Sequence, residues 1–309
     1  MKRLLLLFTA VLLPLYASAQ ETTSDEFLRR YTNLVNRVGP SGIGVETLLE
    51  KWEAAYPDNL QMLLARFNFC FSKCQQTKVI QLDRDRYLGR EPLIPMTDST
   101  GVKKNFFEDT EYDDEMYGEA LLAIDRAISL NPERLDVVFL KINGMIAYEK
   151  ESPDMALQEL KRLVTKHFTQ HPAWQYEGVE KVDDDTFKAF MQDYCFTFFR
   201  LGSPSAAEAF RSLSEHLLTY CKDDPLFLDN LGSYWLVHKK DYKKALKYYN
   251  DVLKKHPDDV TAIRNCILLA RSKKDIKLEM KYLPMMAKYG ETETDRASAQ
   301  ARLQALQKK

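Results

Sequence analysis

The stretch Leu226–Pro257, LFLDNLGSYWLVHKKDYKKALKYYNDVLKKHP, constrains this chain more than any other. On either side of the polar turn His238–Asp241, apolar residues recur at intervals of three and four. That is the period of two amphipathic helices folded back on each other. Small side chains are needed where the two axes approach most closely, and Gly232 and Ala245 supply them. Trp235, Tyr248 and Tyr249 fill the space beside that contact, and Pro257, which cannot continue a helix, ends the unit. Lys239, Lys240, Lys243, Lys244 and Lys247 fall in the turn and on the wet side of the second helix.

Prolines carry this pattern along the chain. Twelve and eight residues before each of five prolines stands an apolar pair. These are Val45/Leu49 before Pro57, Ala120/Ile124 before Pro132, Leu160/Val164 before Pro172, Leu213/Leu217 before Pro225 and Ala245/Tyr249 before Pro257. Each stretch is expected to be the second helix of a hairpin ending at its proline. In the best unit Leu228, Leu231, Gly232 and Trp235 fall at the spacing W-x2-L-G-x2-Y, followed by Ala245, Tyr249 and Pro257. This resembles a tetratricopeptide repeat whose inner turn is one residue longer than usual. The resemblance covers about one repeat well and the remainder loosely. The prolines lie 75, 40, 53 and 32 residues apart, against a unit of about 34. It implies an all-α fold, a right-handed superhelical solenoid of degenerate hairpins, used to bind another protein.

The chain opens MKRLLLLFTAVLLPLYASAQ. Two basic residues, an apolar run too short to span a bilayer and the small residues Ala17-Ser18-Ala19 predict a signal peptide over 1–19, cleaved before Gln20. The mature protein is then exported, periplasmic or secreted, with no integral membrane segment. Removing Lys2 and Arg3 leaves 42 basic against 45 acidic residues, a net charge of −3 that offers no footprint for nucleic acid. Five Cys is an odd number, and their positions suit buried apolar packing better than a disulfide framework.

N-terminal helices and a first degenerate repeat are expected over 20–75, and repeats again over 112–172 and 183–293. Residues 173–182 read as a linker and 294–309 as a polar capping helix. Between the first two blocks, 76–111 keeps no helical period and contains Gly89, Pro92, Pro95 and Gly101. It reads as an insertion between two repeat helices. Leu93–Thr97 and Val102–Phe107 flank the turn Asp98–Gly101 as a small β-hairpin. The acidic cluster Glu108–Glu115 suits a helix N-terminus rather than a cation site.

The chain carries no recognised catalytic or phosphate-binding motif, and neither a cofactor nor a metal is expected. His167 and His171 stand four apart but lack a third ligand and read as surface histidines, while His216, His238 and His256 fall on polar faces or in turns. Candidate partner contacts are the non-core positions of two first helices, Asp229 and Asn230 in one and Arg264, Asn265 and Arg271 in the next. The reading is a non-enzymatic protein mediating protein–protein contacts in the cell envelope. Glycan binding at the outer membrane, an envelope-assembly scaffold and an unrecognised enzyme are the alternatives.

Overall fold

A computed structural model describes residues 23–177, 179 and 181–308. The expected leader and the cleavage site before Gln20 lie outside the described residues. Within them the chain folds as an all-α solenoid built from helical hairpins. The first hairpin pairs α1 (Ser24–Val38) with α2 (Val45–Ala55), and the second pairs α3 (Leu60–Lys73) with α4 (Asp114–Leu130). Then come α5 (Leu135–Glu149) with α6 (Asp154–Gln170) and α7 (Asp184–Leu201) with α8 (Pro204–Tyr220). Next, α9 (Pro225–Ser233) pairs with α10 (Tyr242–Lys255), and α11 (Val260–Ser272) with α12 (Ile276–Tyr289). The last helix, α13 (Glu293–Gln307), packs on α12 and closes the stack. Three core clusters follow one another along this row, each shared by successive helices rather than gathered into one centre.

The proline register is visible in the packing. All ten residues of the five apolar pairs, from Val45 and Leu49 to Ala245 and Tyr249, are fully buried. Pro57, Pro132, Pro172 and Pro257 each follow a helix C-cap, where a residue without a backbone N–H ends the helix at no cost. Pro225 corrects the pattern: it opens α9 instead of closing α8, with its fixed φ suited to a first helical turn. Asp113 caps α4 by accepting the Met116 N–H at 2.9 Å, as the acidic cluster predicts.

The extra residue in the fifth hairpin has a structural home. After α9 the backbone widens into a π-helical turn, Tyr234–His238, in which the Lys239 N–H reaches back to the Tyr234 carbonyl. A π-turn absorbs one added residue without breaking the helix. Just before it, a Cβ on Gly232 would lie 2.3 Å from Cε1 of the Tyr249 ring. Gly232→Ala is therefore expected to destabilise the fold by ~2 kcal/mol, and Ala245→Leu by ~1–3 kcal/mol, both through overpacking. Urea unfolding followed by circular dichroism measures this, and unchanged midpoints would mean the two helices are not in this register.

The insertion is more ordered than a long loop with one small hairpin. The small hairpin is there, with Ile94 opposite Phe106 and Thr97 opposite Lys103. A longer ladder extends it: β1 (Gln75–Leu82) pairs antiparallel with β2 (Asn105–Tyr112) over eight residues, from Gln75–Tyr112 to Leu82–Asn105. Residues 173–182 also differ from a free linker. Trp174 and Val182 are buried, and Gln175 bonds to the backbone of Glu133 and Leu135 at 2.8 and 2.9 Å. His167, read as a surface residue, is 4% exposed beneath this strap. Its Nδ1 accepts from Trp174 Nε1 at 3.1 Å, its Nε2 faces Asp184 Oδ1 at 3.1 Å, and its ring stacks on Phe187 at 3.8 Å. Burial lowers its pKa. All five cysteines are free, and four are buried.

Candidate partner-binding faces

The predicted contact residues part company in the structure. Asp229 and Asn230 are 6% and 7% exposed and so do not face a partner at the surface. Asn230 is committed inward, exchanging hydrogen bonds with Gln192 at 2.8 and 3.0 Å and reaching Ser214. Asp229 Oδ1 has no hydrogen-bond partner, and burial together with nearby Asp259 pushes its pKa up to about 8. The motif residues around them behave as the hairpin requires. Leu231 is buried, Leu228 and Trp235 pack half-buried against the third core cluster, and Pro257 is exposed past the α10 cap.

Arg264, Asn265 and Arg271 share α11. Arg264 is exposed and Asn265 half-buried, neither with a hydrogen bond or ion pair among the described residues. Arg271 is not free. It bonds Glu279 Oε1 at 2.7 Å, and Arg302 on α13 grips the same carboxylate at 3.0 Å through both oxygens. Glu279 is 2% exposed. It stands twelve residues before Glu291, the position following the Gly290 cap, as Ala245 stands twelve before Pro257. The sixth hairpin thus places a charge where the fifth has a methyl group. The two guanidiniums outweigh burial and hold its pKa below the usual carboxylate range, Arg302 contributing most. Arg271 is a structural residue of the terminal cap.

A face that sequence reasoning passed over lies on the ribbon. Antiparallel register puts directly opposed residues on the same side of the sheet. One side therefore carries Asn105, Phe107 and Asp109, all buried against the solenoid. It is fixed there by Asp109, which accepts from Tyr87 Oη at 2.9 Å and from Lys150 Nζ at 2.8 Å. Gly89, at φ +75°, lies so close to the Arg200 carbonyl that a Cβ would approach within 2.5 Å. The other side carries Val79, Ile94, Met96, Val102 and Phe106. Val79 is 62% exposed and Ile94 56%, with Met96 and Val102 nearly as open. The charges interspersed there are neutralised locally, Lys104 by Asp98 and Glu108 by Arg90. A solvent-facing side would ordinarily be polar, so this exposed apolar stripe is a candidate contact surface. Its sequence signal is the alternation Ile94-x-Met96, hidden by Pro95 between them.

Among the described residues no group of three His, Cys, Asp or Glu is placed to hold a metal ion, and no helix is long and apolar enough to cross a membrane. No family model and no curated protein matches the chain. One similar solved structure, from the functional characterization of Pseudomonas aeruginosa pilF, aligns with 90% of this chain and 97% of its own. The identity is 10% and the TM-score 0.32.

Proposed function

We propose that this chain is an exported, non-enzymatic tetratricopeptide-like scaffold that binds another protein through the outer face of its β-ribbon. The apolar stripe Val79, Ile94, Met96 and Val102, presented by a ribbon anchored on its opposite side, carries the reading. Its local charges are paired, so the complementary surface is an apolar, uncharged patch. Arg264 and Asn265 remain open for a secondary contact, whereas Asp229, Asn230 and Arg271 serve the fold. The basic start, apolar run and Ala17-Ser18-Ala19 support export with a mature end at Gln20, and hence a partner in the cell envelope.

A photo-crosslinking residue placed at Ile94 in cells should give one discrete adduct, and the same residue at exposed Leu130 should give none. Ile94→Asp with Met96→Asp should remove a Val79-directed adduct while leaving helicity unchanged. Adducts that form equally from Leu130, or that survive the double substitution, would refute the ribbon as the contact face. Fractionation and N-terminal sequencing test export, and full-length chain retained with the cytoplasm would reverse it.

A further inference from the structure

Where the ribbon leaves the solenoid, an open cleft of about 680 Å³ lies between the ends of α3 and α5 and the base of the two strands. Its aromatic part is a corner, with Tyr112 meeting Tyr148 at 68° and ring centroids 5.5 Å apart. Tyr148 is held in place by stacking on buried Tyr117, centroids 3.9 Å apart and planes 2° from parallel.

The charges bordering the cleft are already engaged within the protein. Lys73 pairs with Glu46 at 3.0 Å, Lys150 with Asp109 at 2.8 Å, and Glu111 with Lys78. Asp113 is occupied in capping α4. What remains uncommitted is neutral. Among the described residues the Gln76 amide and the Tyr112 hydroxyl have no partner, and Gln75 uses only Nε2, which donates to the Phe71 carbonyl at 2.7 Å.

We propose that this cleft binds a neutral saccharide. An ion would meet charges that are already compensated, and a purely aliphatic ligand would leave the amide and phenol unpaired at a cost in affinity. A pyranose satisfies both parts of the wall: its C–H faces pack on tyrosine rings, and its hydroxyls donate to and accept from Gln75 and Tyr112, which the ladder places opposite each other on one side of the ribbon. The volume falls among ordinary small-molecule sites, about 300–1,000 Å³. This site lies at the base of the ribbon, four residues along β1 from Val79, and does not depend on the protein-binding reading.

Saturation-transfer NMR and calorimetry on the mature protein, with maltose, cellobiose and N,N′-diacetylchitobiose as probes, test the proposal. At least one should receive saturation at its ring protons. Tyr112→Phe and Tyr148→Ala should each weaken binding about tenfold or more. The Tyr112 hydroxyl has no partner among the described residues, so Tyr112→Phe should keep the wild-type melting curve even if Tyr148→Ala loosens the stack. Ile94→Asp with Met96→Asp should bind the sugar like wild type, so the two readings fail separately. No transfer to any probe, binding undiminished in Tyr112→Phe, or tighter binding of an anionic heparin fragment would overturn the assignment.

Discussion

Lys150→Ala should destabilise the protein by ~3–5 kcal/mol, because it strips the counter-charge from a carboxylate that stays buried. The Asp109 side chain is 8% exposed, and its close cation is the Lys150 ammonium at 2.8 Å. Burial alone would raise the Asp109 pKa, but Lys150 and the Tyr87 hydroxyl reverse this and hold it below the ordinary value of 3.8. Its contribution to stability is therefore present above that value and is lost as pH falls through the lower folded pKa. Without Lys150 the carboxylate must remain charged and unpaired, take up a proton, or release the ribbon. Urea unfolding gives the loss directly, and hydrogen exchange should show β1 and β2 amides losing protection first. Adding Asp109→Asn to Lys150→Met should recover most of the loss, since a neutral pair leaves no buried charge. A single-variant loss below about 1 kcal/mol would mean that the ribbon is not anchored by this pair.

The second large effect has the opposite sign. Asp229→Asn should stabilise the protein by on the order of 3 kcal/mol at pH 9 and leave it unchanged near pH 4. In the folded chain burial, reinforced by nearby Asp259, keeps this carboxyl protonated up to about pH 8, against an ordinary value of 3.8. Folding therefore takes up a proton between those two values. Wild-type stability is full below the lower value, falls as pH rises toward the upper one, and stays low beyond it. Asparagine has the same shape and no charge to bury, so the difference between the two proteins should open across that window. Melting temperatures from pH 4 to pH 9 report it. A constant difference, or a wild type that is the more stable at pH 9, would show that Asp229 has a partner in solution.

Much of the scaffold was legible because helix pairing obeys local rules. The spacing of Ala245 and Tyr249 before Pro257, repeated at earlier prolines, located ten fully buried side chains. The ribbon was half legible: Asp98–Gly101 is a turn by its residue types, but Gln75–Leu82 is mostly polar and reads as strand only once β2 lies beside it. The candidate site fared worse. Asp229 looked like a surface residue because carboxylates are seldom buried, least of all beside a second one such as Asp259. Arg271 looked free because its partner, Glu279, occupies a position that in the fifth hairpin is alanine. His167 looked exposed because Trp174, seven residues further on, folds back over it. Each error came from a contact between elements that no residue's own neighbourhood announces.

In polymer terms the ribbon changes the length of a loop. Between the end of α3 and the start of α4 lie forty residues, from Cys74 to Asp113. Closing a gap ten times longer than an ordinary helix–helix turn costs about 2 kcal/mol of extra chain entropy. The strand ladder removes that distance: its last pair, Gln75 and Tyr112, sits directly at the two helix ends, and the Asp113 N–H bonds the Cys74 carbonyl at 2.8 Å. Once zipped, the ribbon is itself the turn of the second hairpin. A hand gripping the outside of the ribbon would then also hold the zipper shut, and the middle of the solenoid would feel its partner without touching it.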